Sequence, residues 1–236
     1  MKKVILPLML LFVAASLISL ESAPSDVVGF VKVTCDVGFI AFALPFTQYD
    51  VAGVETTLLS DIVGPYMTGG LPFQSDKVWD MTNGDIATEN LDGSFSGMQD
   101  FTLGHAYYME NKHAAFDLYF AGKSIDVLID FGTMGMGFTA VGVKAAGEVP
   151  LDDLDLISAG FTGGLPFQSD KIWDMNDGSI TTLSGAGVWA GFDHIIPGHA
   201  YYIEVKNSPF AWVYDPASRD SGENTLEASQ VNNTRR

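Results

Sequence analysis

The chain has 236 residues and 25.4 kDa, with 29 acidic and 12 basic side chains, a formal charge of −17, 25 Gly and a single Cys. That length holds one large domain or two small ones, and the 47% apolar content suffices for a packed core. The lone Cys35 excludes a disulfide framework and a multi-Cys zinc site. Between Pro24 and Pro216 stand seven Lys, no Arg and 25 Asp plus Glu, so neither the positive footprint of nucleic-acid binding nor Arg forks for phosphate are present.

Met1-Lys2-Lys3 followed by the apolar run Val4 to Leu20 and by Glu21-Ser22-Ala23-Pro24 has the layout of a secretory signal peptide over residues 1–23. Cleavage after Ala23 puts Glu21 at an unfavourable position, and Ala14-Ala15-Ser16 offers an earlier site. An uncleaved anchor is the alternative, although the run is short for a span and contains Pro7. Lys32-Val33-Thr34 before Cys35 is not a lipobox, and no other segment has the length and apolarity of a spanning helix.

The body repeats itself. Thr68 through Met81 recurs as Thr162 through Met175 with Val78 replaced by Ile172, and Gly104-His105-Ala106-Tyr107-Tyr108 recurs as Gly198-His199-Ala200-Tyr201-Tyr202. Phe116 likewise pairs with Phe210. All share one offset of 94 residues, which reads as duplication. Modules are expected at 28–122 and 123–216, either as two beads or as one pseudo-twofold domain.

Within a module the pattern is mostly strand. Phe39 to Leu44, bounded by Gly38 and Pro45, predicts a buried strand; Ile125 to Phe131 and Gly137 to Val143 fill that region of the second copy. Val54, Leu58, Leu59, Ile62 and Val63 predict one helix, and Pro150, Asp152 and Asp153 with the stripe Leu151, Leu154, Ile157 predict its counterpart. Lys77-Val78-Trp79 and Lys171-Ile172-Trp173 read as strands entering hairpins whose tips carry Asn83-Gly84 and Asp177-Gly178. The His-Ala-Tyr-Tyr strands follow, and Phe116 to Phe120 and Phe210 to Tyr214 close each module. The expected fold is mainly β: two tandem antiparallel β-sandwich or barrel-like modules, each with one short α-helix. An eight-stranded outer-membrane barrel fits less well with the helices and the repeat length. Residues 217–236 are polar and are expected to be a disordered tail.

The order Leu44-Pro45-Phe46, short helix, Val78-Trp79-Asp80, Gly-x-Ala-Tyr-Tyr and final Phe strand resembles the repeated β modules of large secreted bacterial proteins. The resemblance covers most of residues 36–216, and the second copy departs from it where Val141-Gly142-Val143-Lys144 replaces the Leu-Pro-Phe corner. It implies a secreted, non-catalytic module and transfers no functional residue.

Three candidate sites arise. Trp79 with Tyr107 or Tyr108, and Trp173 with Tyr201 or Tyr202, are either core and cap or a ligand platform; Trp79, Tyr107, Trp173 and Tyr201 are taken as the candidate ligand-binding set. Asp76, Asp80, Asn83 and Asp85, with Asp170, Asp174, Asn176 and Asp177, place oxygen atoms near turns, as calcium would require, but lack EF-hand spacing and read first as turn chemistry. His105 and His199 are repeat mates, and His194 and His199 flank a turn without a third metal ligand. There is no Gly-x-Ser-x-Gly elbow, and Cys35 has no His nearby in sequence. The expected function is that of a secreted structural or adhesion-type protein of the bacterial surface, not an enzyme. Its partners would be extracellular proteins or further copies of itself, in an assembly without a resident cofactor. The alternative is a glycan- or peptide-binding module.

Overall fold

A computed structural model describes residues 28–123, 128–145 and 147–215. The export segment and the polar tail expected from the sequence lie outside these residues. The fold is mainly β, with antiparallel sheets, two short α-helices and no closed barrel.

Eighteen strands run in chain order through the described residues. In the first half, β1 (Val28–Cys35), β3 (Thr47–Tyr49), β4 (Glu55–Thr56) and β9 (Phe116–Lys123) form one sheet in the order β1-β9-β3-β4. Facing it are β2 (Gly38–Phe42), β5 (Lys77–Asp80), β6 (Ile86–Glu89), β7 (Phe95–Gly97) and β8 (Tyr107–Asn111), in the order β2-β8-β5-β6-β7. Alternation of side chains along each strand turns Val33, Cys35, Leu118 and Phe120 of one sheet toward Phe42, Val78, Tyr107 and Met109 of the other, and these close a core of their own.

The second half contains β10 (Ile129–Met134), β11 (Gly137–Gly142), β12 (Val149–Pro150), β13 (Lys171–Asp174), β14 (Ile180–Leu183), β15 (Trp189–Ala190), β16 (His194–Ile195), β17 (Ala200–Val205) and β18 (Phe210–Tyr214). Its five-stranded sheet, β11-β17-β13-β14-β15, repeats the order and register of the first. Trp79 lies opposite Tyr108 and Ile86, and Trp173 lies opposite Tyr202 and Ile180. A second core of Val141, Leu154, Ile172, Tyr201 and Trp212 fills this half. Among the described residues every strand pairing stays within one half.

The helices are shorter than the apolar spacing predicts. Only Leu59–Ile62 is α-helical in the first half, because Glu55–Thr56 is drawn into strand pairing with Gln48 and Tyr49. Val54 therefore sits exposed, not on a helix face. In the second half Leu151–Leu154 is a 3₁₀ turn, and Asp155, at φ 55°, interrupts it before the α-helix Leu156–Ala159. The break resets the register, so Leu156 is buried where the stripe predicts Ile157.

The halves dock through reciprocal contacts. Ala43 N–H donates to the Gly198 carbonyl, and its counterpart Gly142 N–H donates to the Gly104 carbonyl, at 2.9 and 2.8 Å. Asn176 Nδ2 donates to the Ala41 carbonyl and Thr82 Oγ1 to the Ala140 carbonyl, at 2.7 and 2.8 Å. Ala41, Ala106, Ala140 and Ala200 pack at the centre with Met81, Tyr108, Met175 and Tyr202 around them. Each contact has a mate with the roles of the halves exchanged, which is the signature of a local pseudo-twofold axis.

Candidate functional site

Period-two alternation leaves one face of each five-stranded sheet pointing away from its core. On the first sheet that face carries the cross-strand row Tyr108–Trp79–Ile86 and, beside it, Phe39–Glu110–Lys77–Thr88. On the second it carries Tyr202–Trp173–Ile180 and Phe138–Glu204–Lys171–Thr182. Phe39 meets Tyr108 edge-on at 6.2 Å, and Phe138 meets Tyr202 and Trp173 at 5.9 and 6.0 Å. The rows run toward each other and meet where Tyr108 and Tyr202 pack around the central alanines. Burial, and next the nearby Tyr108, raise the Tyr202 hydroxyl above its ordinary pKa.

Polar groups flank the rings of this face and bond the indole of Trp173, whereas Trp79 Nε1 is buried without a hydrogen-bond partner. Trp173 Nε1 donates to Glu204 Oε2 at 3.2 Å, Lys206 lies 3.4 Å from Glu204 Oε1, and Lys171 stands over the Trp173 ring at 5.7 Å. In the first half Lys112 pairs with Glu110 at 3.3 Å and Lys77 lies 6.0 Å from the Trp79 ring centre. Trp79 and Trp173 are half-buried, while Phe39 and Phe138 are 64% and 60% exposed.

Of the sequence-predicted set, Trp79 and Trp173 lie on this face. Tyr107 and Tyr201 do not. They are fully buried on the inner side, and their hydroxyls bond the backbone at Thr102 and Ile196. The partners of the tryptophans are Tyr108 and Tyr202, which the sequence offers as the adjacent choice. Phe39 and Phe138 were missed as members, although both follow a glycine that opens a strand, at Gly38 and Gly137.

The acidic residues proposed near turns are consumed by the fold. Asp76 accepts the Thr68 and Lys112 N–H groups and lies 3.1 Å from His113 Nδ1. Asp170 accepts the Thr162 and Lys206 N–H groups and Asn207 Nδ2. Asp80 and Asp174 sit at the other end of their four-residue strands, each 2.7 Å from a histidine Nδ1, of His105 and His199. An ionised carboxylate only accepts, so each Nδ1 carries the proton and the Asp fixes the ring. Asp76 and Asp80 are thus separated by the length of a strand, roughly 13 Å at the usual rise. Among the described residues no three His, Cys, Asp or Glu groups converge as metal ligands. Cys35 is buried, with its thiol 3.8 Å from the Val33 carbonyl; burial pushes the thiol up to about 12.

A cleft of about 450 Å³ opens beside the face at the junction of the halves. Asp36, Val37, Phe39 and Ile40 line it from the first half, and Met175, Asp177 and His199 from the second. Among the described residues no helix is long and apolar enough to cross a membrane. No protein-family model, no curated protein and no solved structure matches the chain.

Proposed function

We propose that the protein is a secreted, non-catalytic, adhesion-type protein of the bacterial exterior, built by duplication of one β module, and that its joined aromatic faces bind a glycan chain. One observation carries this reading. Between the copies the interior has drifted: Phe42 faces Val141 as its counterpart, Met109 Ile203, Asn111 Val205, Leu118 Trp212 and Glu89 Leu183. On β2, β8, β5 and β6 the outward face has not, although on β7 Ser96 has become Ala190. Phe39, Lys77, Trp79, Ile86, Thr88, Tyr108 and Glu110 recur as Phe138, Lys171, Trp173, Ile180, Thr182, Tyr202 and Glu204.

Cores tolerate volume-compensating swaps, so their drift is expected after duplication. Phe39 and Phe138 keep most of their surface in solvent while packing on the neighbouring rings, and a contiguous exposed apolar patch marks an interaction surface. Flat rings flanked by Lys and Glu suit a ligand with alternating apolar CH faces and hydroxyl groups. A sugar chain has both, and it brings no phosphate, for which residues 24–216 offer no Arg partner.

The test is affinity electrophoresis of the protein in a panel of neutral and uronic polysaccharides, with Phe39→Ser/Phe138→Ser and Trp79→Ala/Trp173→Ala variants. The Phe pair is exposed, so its loss should leave the melting temperature within about 2 °C while weakening retention about tenfold or more. Absence of retention by any glycan, or retention unchanged in both variants, overturns the reading; capture of an unstructured peptide instead would redirect it to peptide recognition.

A further inference from the structure

The most closely shared stretch of the two copies is not all interior. Ser75 and Asp76, and Ser169 and Asp170, are buried, but the loop before them stands in solvent. Phe73 is 90% exposed and Phe167 74%; Leu71 and Leu165 are 59% and 57%. No core or sheet requirement accounts for the same Leu-Pro-Phe in both places, while exposed loops elsewhere, such as 90–94 against 184–188, have diverged.

These loops are held rigidly from below. Gln74 and Ser75 N–H both donate to the Leu71 carbonyl, as Gln168 and Ser169 do to Leu165. Lys112 Nζ donates to the Phe73 carbonyl and Lys206 Nζ to the Phe167 carbonyl, at 3.2 and 3.4 Å. The buried Asp76 and Asp170 tie Thr68 and Thr162, at the start of each loop, to Lys112 and Lys206, the residues just after β8 and β17. A preorganised apolar knob loses little conformational freedom on docking. Each loop leads into the outer end of β5 or β13, remote from the module junction at Asp80–His105 and Asp174–His199. Each is flanked by two lysines, Lys77 and Lys112 or Lys171 and Lys206, which are four of the seven between Pro24 and Pro216. Lys112 and Lys206 are shared with Glu110 and Glu204, at 3.3 and 3.4 Å, which leaves one further cation, Lys77 or Lys171, beside each knob.

The junction cleft has the complementary character. Val37 and Phe39 expose apolar surface into it, Asp36 and Asp177 add negative charge, and the one lysine on its wall, Lys32, is already paired with Asp117 at 2.8 Å. Its volume falls within the range of ligand sites. We propose that a Leu-Pro-Phe loop of one molecule seats in the junction cleft of a second copy, so that the protein assembles head to tail. Donor and acceptor surfaces differ, which makes the contact heterologous and leaves it free to propagate instead of closing into a dimer. The proposal does not depend on glycan binding.

Sedimentation velocity of the mature chain over a wide concentration range, without glycan, tests it. The wild type is expected to show mass growing with concentration. Phe73→Ser/Phe167→Ser removes the knobs, and Asp36→Lys/Val37→Ser alters the socket; all four side chains are exposed, and near-ultraviolet circular dichroism checks that each variant stays folded. Each variant alone should associate at least about tenfold more weakly. Mixed together, the knob-deficient and socket-deficient proteins should form a limited complex that stops growing, since each supplies what the other lacks. A wild type that stays monomeric, association untouched by either pair, or a mixture that forms no complex overturns the proposal.

Discussion

Glu89 occupies an interior position that the second copy fills with Leu183. Only 5% exposed, it has a carboxylate oxygen, Oε2, without a hydrogen-bond partner. Burial, and then the charge of Asp76, hold its pKa above the ordinary carboxylate value. In the native state the ionised form is therefore penalised, and the penalty is present at neutral pH and relieved as pH falls through the raised pKa. Glu89→Leu, copying the other half, should stabilise by about 1–2 kcal/mol at pH 7, with the advantage shrinking on acidification. A lower melting temperature for the variant at pH 7 would refute this account. Lys144 is the mirror case. It replaces Pro45 of the first copy, is 2% exposed, and burial, partly offset by Glu55, pulls its pKa down to about 7. Between pH 7 and the ordinary lysine value of 10.5 the unfolded chain holds a proton that the native chain does not, so wild-type stability should rise with pH across that window. Lys144→Met should flatten that rise and gain on the order of 3 kcal/mol at pH 6, an advantage lost by about pH 10.5. Urea unfolding across the window measures both slopes.

At the scale of elements, the strands and one short helix in each half were legible in the sequence, and the extent of the helices was not. Runs such as Phe39–Leu44 and Phe210–Tyr214 carry bounding glycines or prolines and repeat in both copies, and they form strands where expected. The helical spacing of Val54 to Val63 was real as a pattern. It lost because Glu55 and Thr56 gain a strand partner and only one turn remains for the helix, too short to hold by propensity alone. The choice between Tyr107 and Tyr108 shows the other limit. Alternation says that one of the pair faces in and one out, but which one shares a face with Trp79 depends on pairing register. That register is set by Met109 lying opposite Val78 after a connection of irregular structure, whose geometry short-range residue preferences do not fix. The acidic turn residues were read correctly as turn chemistry in part: Asp177 accepts the Ser179 N–H, and Asp80 accepts the Thr82 N–H. That Asp76 and Asp170 would reach 36 residues along the chain to a backbone amide was invisible, because it follows from the sheet order β8-β5 and β17-β13 and from no local pattern.

The whole molecule poses a question that neither half answers: whether two separate cores unfold as one. The contact between them has alanine, glycine and backbone hydrogen bonds at its centre, with Met81, Tyr108, Met175 and Tyr202 around them. Close approach is its condition. A Cβ at Gly142 would collide with the His105 carbonyl and the Ala43 methyl group, while one at Gly198 would lie 2.8 Å from Val31 Cγ1. Gly142 tests the contact most cleanly, since its backbone needs no left-handed conformation and its N–H already donates across the junction to Gly104. Gly142→Ala should cost about 2 kcal/mol by overpacking, and adding Ala43→Gly, which removes the methyl group that it strikes, should recover part of that cost as a coupling energy in a double-mutant cycle. Gly142→Leu is too large to accommodate and should wedge the halves apart without entering either core. Differential scanning calorimetry then decides the matter. The wild type is expected to melt in one transition, because each half lends the other hydrogen bonds and buried surface, and Gly142→Leu in two, because cores closed by Phe42 and Tyr107 on one side and by Tyr201 and Trp212 on the other remain intact. A single transition in the leucine variant, merely shifted down, would mean that the halves are coupled by something other than this junction.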